Sequence, residues 1–113
     1  MIYRIYRLTD ESPIPLFTGS KSLRKLKMWP PNPEDYEQIW EGFNPGFDHL
    51  TALDWIYAKF NVYKPMLFCT EHHSLSVGDI VSLTDSEKTR TYFCDSSSWT
   101  ELPEFFKTVS AAE

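Results

Sequence analysis

A short polar segment that runs directly into a strand-like stretch places the strongest constraint on the fold of this chain. Residues 73–79 combine a histidine, two serines, a glycine and an aspartate, and the mainly apolar residues 80–83 follow at once. Serine, aspartate and glycine favour tight turns, and Gly78 supplies a backbone conformation that other residues resist. The segment therefore predicts a tight corner that enters a β-strand over residues 79–83.

Four segments carry the β-branched and aromatic residues that are typical of strands, and they cover residues 2–8, 36–43, 79–83 and 89–94. In the first segment apolar residues occupy both parities, so both faces of this strand are expected to be covered. The polar residues 84–88 are expected to form the loop between the last two strands, and residues 99–106 to pack on the core. These strands predict a small antiparallel sheet.

Apolar residues at intervals of three and four predict a helix from about residue 49 to residue 60. Asp48 or Thr51 can cap the start of this helix. Its expected buried stripe consists of Leu50, Leu53, Ile56, Tyr57 and Phe60.

A shorter helix is predicted over residues 20–29, with Ser20 or Ser22 as its cap. Prolines at positions 30, 31 and 33 prevent its continuation.

With 113 residues the chain has room for one domain with a modest core. We therefore predict a single α+β domain over residues 1–113, in which a small antiparallel sheet of about four strands packs with two helices and residues 107–113 form a frayed tail.

The charge of the chain bears on its partners. Sixteen acidic residues against eleven basic ones give a net charge of −5. Nucleic-acid-binding proteins use Lys and Arg to neutralise phosphate, so direct binding to nucleic acid is not expected, and the basic residues of the helix at 20–29 are interpreted as a solvated face. An acidic protein is better suited to a basic surface of another protein, including one that holds DNA or RNA.

No apolar run approaches the roughly 20 residues that a membrane-spanning helix needs, and residues 1–8 predict a strand rather than a signal peptide. A cytoplasmic location without membrane contact is therefore expected. In that reducing compartment Cys69 and Cys94 are expected to be free thiols that are buried as small apolar side chains.

The predicted corner also offers residues for a catalytic site. His73 can act as an acid, a base or a ligand, and Asp79 can orient it. Ser74 or Ser76 would then be the nucleophile. The alternative is that these serines and the aspartate bind backbone groups and fix the turn. Since spacing alone does not define a triad and no Gly-x-Ser-x-Gly motif is present, the structural alternative is favoured and no catalytic activity is expected.

Metal and cofactor sites are not expected. Cys69, His72 and His73 are close in sequence but have no matching pair, which falls short of the convergent tetrahedral set that zinc requires. The four glycines are dispersed and form no phosphate-binding loop.

Carboxylates are concentrated in the middle of the chain, and strict alternation in the strand at 36–43 would place Glu37 and Glu41 on the face of Ile39. Tryptophan is enriched at the centres of protein interfaces, which makes the tryptophans of this strand and of the flank of the longer helix candidate anchors. We predict a partner-binding surface formed by Glu34, Asp35, Glu37, Trp40, Glu41 and Trp55. The alternative is that the carboxylates only keep a strand edge soluble.

The order of motifs from about residue 2 to residue 106 resembles the YodL-like domain family. The segment at 73–81 is most similar to the family hallmark. Two positions depart from the pattern, since Gly78 stands where serine is common and Cys94 stands where a small aliphatic residue is usual. The first departure argues against a catalytic loop. The segments that carry the resemblance are residues 3–8, 35–42, 53–61, 73–81 and 92–95 with Trp99.

The resemblance implies an accessory protein of phages, plasmids or conjugative elements of Gram-positive bacteria, where such domains often stand beside anti-restriction genes. It implies no established reaction. Together with the acidic balance and the 16% of aromatic residues, it leads to the hypothesis of an anti-CRISPR or anti-restriction inhibitor that occupies the basic nucleic-acid-binding surface of a host nuclease. The alternatives are a small hydrolase or nucleic-acid modifier that uses the corner, and a structural or self-associating scaffold domain.

Overall fold

The computed structural model describes residues 1–46, 48–63, 74–86 and 88–106. These ranges contain five β-strands, two α-helices and two shorter helical turns. In chain order the elements are β1 (Ile2–Leu8), α1 (Ser20–Lys25), a 3₁₀ turn (Pro33–Asp35), β2 (Tyr36–Phe43), α2 (His49–Ala58), a π-helical turn (Lys59–Tyr63), β3 (Ile80–Asp85), β4 (Lys88–Cys94) and β5 (Trp99–Glu101).

One antiparallel sheet joins the strands in the order β2–β1–β3–β4–β5. The prediction of a single α+β domain with an antiparallel sheet and two helices is confirmed. The sheet has five strands rather than about four, because the three residues of β5 pair with β4. Such a short strand carries too little alternation to be recognised from sequence. The predicted tail at 107–113 lies outside the described residues.

Apolar side chains cover both faces of the sheet, as the composition of residues 2–8 predicts. On one face, α2 and the π-helical turn pack on the sheet in a cluster that includes Tyr3, Phe60 and Val81. On the other face, Leu23 of α1 packs with Phe93 and the segment that follows β5. The sheet is therefore the middle layer of the domain.

The helix α2 begins at the predicted place, because the Asp48 carboxylate accepts a hydrogen bond from the backbone N–H of Thr51 at 3.1 Å. The prediction was wrong for Leu50 and Tyr57, which are 65% and 45% exposed. At 100° per residue both lie roughly 90° from the centre of the buried stripe, where the sheet no longer covers the helix. The buried positions are Ala52, Leu53, Ile56 and Phe60.

The helix α1 is shorter than predicted and is capped differently. It ends at Lys25, and Lys27 has a positive φ of 60°, which stops the helix before the prolines are reached. Neither predicted serine is the N-cap, since that position is Gly19. The backbone N–H of Ser20 instead donates to the Asp95 carboxylate at 3.0 Å, so the capping group comes from a distant part of the chain.

A β-bulge interrupts the alternation of β2. In β1, Ile5 pairs with Trp40. Its neighbour Tyr6 pairs with Gln38, so Ile39 is an extra residue with no partner in β1. Both Ile39 and Trp40 consequently pack against the core on the α2 side of the sheet.

The bulge overturns the predicted common face of Glu37 and Glu41. Side chains directly opposite one another on neighbouring strands point to the same face. Glu41 is opposite Arg4, whereas Glu37 is opposite Arg7, and these two arginines lie on opposite faces of β1. The two carboxylates therefore flank the outer strand from both sides.

Candidate functional site

The predicted corner, which the structure describes from residue 74 to residue 79, is held by a buried ion pair with β1. Arg7 and Asp79 are both buried, and the guanidinium binds the carboxylate through two hydrogen bonds. Arg7 Nε donates to Asp79 Oδ1 at 3.1 Å, and Arg7 Nη2 donates to Asp79 Oδ2 at 2.7 Å. The same Nη2 also donates to the carbonyl of Ser74 at 3.2 Å. A planar guanidinium thus fixes both ends of the corner to the centre of the sheet.

Short-range hydrogen bonds complete the turn. The backbone N–H of Ser76 donates to Asp79 Oδ2 at 2.8 Å, and the Ser76 hydroxyl donates to the carbonyl of Ser74 at 2.8 Å. Gly78 has a φ of +99°, which confirms the predicted need for glycine at this position. The carbonyl of Gly78 accepts a hydrogen bond from the Tyr36 hydroxyl at 2.8 Å, which ties the corner to β2.

The corner supports the structural interpretation of Ser76 and Asp79. The Asp79 carboxylate binds Arg7 and a backbone N–H, and the Ser76 hydroxyl donates to a backbone carbonyl, which are the contacts of residues that fix a turn. Ser74 takes part through its carbonyl. His73 lies outside the described residues, and an enzymatic role stays an alternative hypothesis.

The thiol of Cys94 lies beside this corner and is a buried free cysteine, as predicted. Burial, followed by the nearby carboxylates of Asp79 and Asp95, raises the pKa of the Cys94 thiol to about 12. The group is therefore protonated at neutral pH and is a poor nucleophile. Cys69 lies outside the described residues.

In the described part of the chain, no group of three or more His, Cys, Asp or Glu side chains is placed to hold a metal ion. The candidate ligands His72 and His73 lie outside these ranges. No helix in the described ranges is long and apolar enough to cross a membrane.

The predicted partner-binding carboxylates lie on one outer strand of the described sheet and on the 3₁₀ turn that precedes it. We call Glu34, Asp35, Glu37 and Glu41 the acidic edge, since they follow one another along the 3₁₀ turn and β2. Glu34 and Glu37 are exposed and form no ion pair with any described residue. Glu41 forms a partly exposed ion pair with Arg4 at 2.8 Å. The acidic edge therefore keeps an excess of negative charge.

The two predicted tryptophan anchors differ in how they are placed. Trp40 is half-buried, and its ring packs edge-on against Phe60 with centroids 5.7 Å apart, so it belongs largely to the core. Trp55 is 39% exposed and lies edge-on to the buried ring of Tyr3. The ammonium group of Lys59 lies over the Trp55 ring, 4.9 Å from the ring centroid. Trp55 is the better placed of the two to contact a partner.

A second surface feature was missed by the sequence analysis. A cleft of about 290 Å³ separates α2 from the turn between β4 and β5, and we call it the aromatic cleft. Tyr57 and Trp99 form its aromatic part, with ring centroids 6.5 Å apart and planes at 86°. The sequence periodicity predicted that Tyr57 is buried, so Tyr57 was not considered as part of a surface cleft. The cleft is lined by Asp54, Tyr57, Val77, Cys94, Asp95, Ser96, Ser97, Ser98 and Trp99.

Asp95 links the aromatic cleft to the start of α1. Its carboxylate accepts hydrogen bonds from the Ser20 hydroxyl and from the Thr100 hydroxyl, the latter at 2.8 Å. The backbone N–H of Ser96 donates to it at 3.0 Å. Burial alone would raise the pKa of this carboxyl, but these hydrogen bonds outweigh burial and hold the pKa of Asp95 below its ordinary value.

Replacing Asp95 by alanine is expected to lower the free energy of unfolding by about 0.5–2 kcal/mol at pH 7, because a helix start loses its acceptor. A carboxylate with a lowered pKa in the folded state contributes stability above its ordinary pKa of about 4, and loses it as pH falls through the folded value. The difference in the free energy of unfolding between wild type and Asp95→Ala should therefore become smaller below pH 4. Urea unfolding at pH 7 and pH 3 tests this, with the exposed Asp85→Ala as control. An equal difference in the free energy of unfolding at both pH values would contradict a stabilising role of the ionised Asp95 carboxylate.

The comparison with known proteins agrees with the resemblance noted above. The YodL-like domain family matches the chain over residues 2–105, a range that contains every strand and helix of the described fold. No curated protein and no solved structure matches it. Because the match spans nearly the whole sequence, including the corner and the strands that it joins, the chain belongs to the YodL-like domain family.

Proposed function

We propose that this protein is a protein-binding accessory factor of a phage or other mobile element, and that it acts in the cytoplasm by occupying a basic nucleic-acid-binding surface of a host nuclease. A CRISPR–Cas or restriction nuclease is the specific target class. The proposal rests mainly on the acidic edge, where the exposed carboxylates of Glu34 and Glu37 have no ion-pair partner among the described residues. Such an edge attracts Lys and Arg and repels phosphate.

The position of the acidic edge favours docking from the side of the sheet. In the described structure β2 pairs with β1 alone, so its other side faces outward. The bulge places Glu37 and Glu41 on opposite faces, and a partner that approaches the strand edge-on can reach both carboxylates. An extended segment of the partner could also add hydrogen bonds to the outer side of the strand.

Apolar side chains at the far end of β2 supply the second component of an interface. Phe43 ends the strand and is 65% exposed. Trp55 stands next to Asn44 and Pro45 in the lining of a neighbouring cleft, which places it beside the end of this strand. Aromatic residues are enriched at the energetically dominant centre of protein interfaces, and charged residues lie at the rim.

Reversing two charges on the acidic edge is expected to weaken binding to the target at least about tenfold. In Glu34→Lys/Glu37→Lys two favourable contacts become repulsions, and loss of electrostatic steering lowers the association rate. The target is obtained by affinity capture from a nuclease-treated, phage-challenged host lysate, and binding is then measured with purified components at two salt concentrations.

The matched control is Asp85→Lys/Glu101→Lys, which makes the same change in net charge at exposed positions of β3 and β5. This control should bind like the wild type, and the affinity of the wild type should fall as salt rises. Equal binding by the edge variant and the control would refute the proposed surface.

A further inference from the structure

We infer that the aromatic cleft binds an arginine side chain presented by a partner polypeptide. This site lies beside β5, at the opposite side of the sheet from β2, and goes beyond the proposed role of the acidic edge. At about 290 Å³ the cleft is at the lower limit of roughly 300–1,000 Å³ that is usual for small-molecule sites. It therefore has the size of a receptacle for one side chain.

The aromatic rings of the cleft can accept a cation, because no described cation already lies over them. Two other tryptophans of the chain already hold one, since Arg24 lies 5.1 Å from the ring of Trp29 and Lys59 lies over Trp55. Tyr57 and Trp99 face each other edge-on, and no Lys or Arg of the described chain lies over either ring. Rings of this kind attract a cation through their negative faces.

The charge of the cleft selects the sign of the occupant. Asp54 is exposed and forms no ion pair with a described residue. Asp95 adds a second negative charge, although its oxygens already accept hydrogen bonds from Ser20, Ser96 and Thr100. Among the described residues that line the cleft there is no Lys or Arg. An anion would be repelled, and a neutral apolar group would desolvate Asp54 without compensation.

The aromatic rings and hydrogen-bond acceptors of the cleft favour arginine over lysine. A guanidinium is planar and weakly hydrated, so it can stack on an aromatic ring while its edge donates to a carboxylate. The turn at residues 96–98 adds three serines as further acceptors. Val77 and Cys94 add apolar lining, which suits the aliphatic stem of the side chain.

The test is a ¹⁵N-labelled NMR titration of the whole chain with N-acetyl-arginine amide, which mimics an arginine within a polypeptide. We expect saturable shifts of the Trp99 indole N–H and of the amides at residues 54–57 and 94–99. N-acetyl-citrulline amide has nearly the same shape without the charge and should bind at least about fivefold more weakly, as expected when a cation–π contact and an ion pair are lost. Free arginine should bind no more tightly than the blocked form.

Two variants locate the charge that recognises the ligand. Asp54→Asn should weaken binding of the arginine amide about fivefold, whereas Asp85→Asn, at an exposed strand end outside the cleft, should leave it unchanged. Absence of saturable shifts, equal binding of the citrulline amide, or an unaffected Asp54→Asn variant would overturn the inference, as would binding of free arginine alone. Glu34→Lys/Glu37→Lys should bind the arginine amide like the wild type, so failure of the acidic-edge proposal is distinguishable from failure of this one.

Discussion

Replacing Asp79 by asparagine is expected to lower the free energy of unfolding by about 3–5 kcal/mol, the cost of leaving a buried charge without its partner. The side chains of Arg7 and Asp79 are 9% and 6% exposed, so water cannot replace the lost carboxylate. The Asp79 carboxylate also accepts the backbone N–H of Ser76, which links the turn to the ion pair. We therefore expect the corner and the centre of the sheet to lose stability together.

Urea unfolding of Asp79→Asn, Arg7→Met and the double variant tests this expectation. Since the two side chains act as a pair, the double variant should lose at least about 2 kcal/mol less than the sum of the single losses. The exposed pair of Arg4 and Glu41 is the matched comparison, and Glu41→Gln should cost less than about 1 kcal/mol. Additive losses, or a cost below 1 kcal/mol for Asp79→Asn, would show that the corner is not held by this ion pair.

Replacing Phe60 by alanine is expected to cost about 3–5 kcal/mol, because a fully buried aromatic ring leaves a cavity that its neighbours fill only in part. Phe60 packs edge-on against Tyr3 at 6.1 Å and against Trp40 at 5.7 Å between ring centroids. Its removal therefore loosens β1, β2 and the π-helical turn at the same time.

Val62 provides the control for this cavity within the same π-helical turn. It is 70% exposed, so Val62→Ala should change the free energy of unfolding by no more than about 0.5 kcal/mol. Thermal and urea unfolding of both variants measure the contrast. Similar costs for the two substitutions would mean that the π-helical turn does not form part of the core.

Local sequence patterns predicted most of the helices and strands, because the spacing of apolar residues within a segment depends on which of its side chains are buried. The three-and-four spacing at Leu53, Ile56 and Phe60 correctly predicted the buried side of α2 and of the π-helical turn that follows it. The same rule failed for Leu50 and Tyr57 because burial at the margin of a stripe depends on how far the sheet extends beneath the helix. That extent is a property of the packed molecule.

The bulge in β2 could not be predicted from alternation within that strand. An extra residue is defined only by the partner strand, and here β1 supplies no partner for Ile39. The consequence for the acidic edge is substantial, because Glu37 and Glu41 point to opposite faces instead of one. The residues of the acidic edge follow one another along the 3₁₀ turn and β2, but the faces that Glu37 and Glu41 occupy follow from strand pairing.

The contacts that organise the corner and the aromatic cleft join residues that are far apart in sequence. Arg7 and Asp79 are separated by 72 positions, and Ser20 and Asp95 by 75. The sequence correctly indicated a turn around Gly78 from residue types alone. It contained no signal that Asp79 would be engaged by an arginine of the first strand, or that Asp95 would cap α1.

The acidic edge is tested most directly by hydrogen–deuterium exchange of the complex with the captured target. Exchange of backbone amides is compared between the free and the bound protein, with the Glu34→Lys/Glu37→Lys variant as the reference for specificity. Our account predicts that binding slows exchange in residues 33–43, while β3 at the centre of the sheet is unchanged. Protection confined to the corner at residues 74–79, with residues 33–43 unaffected, would contradict it.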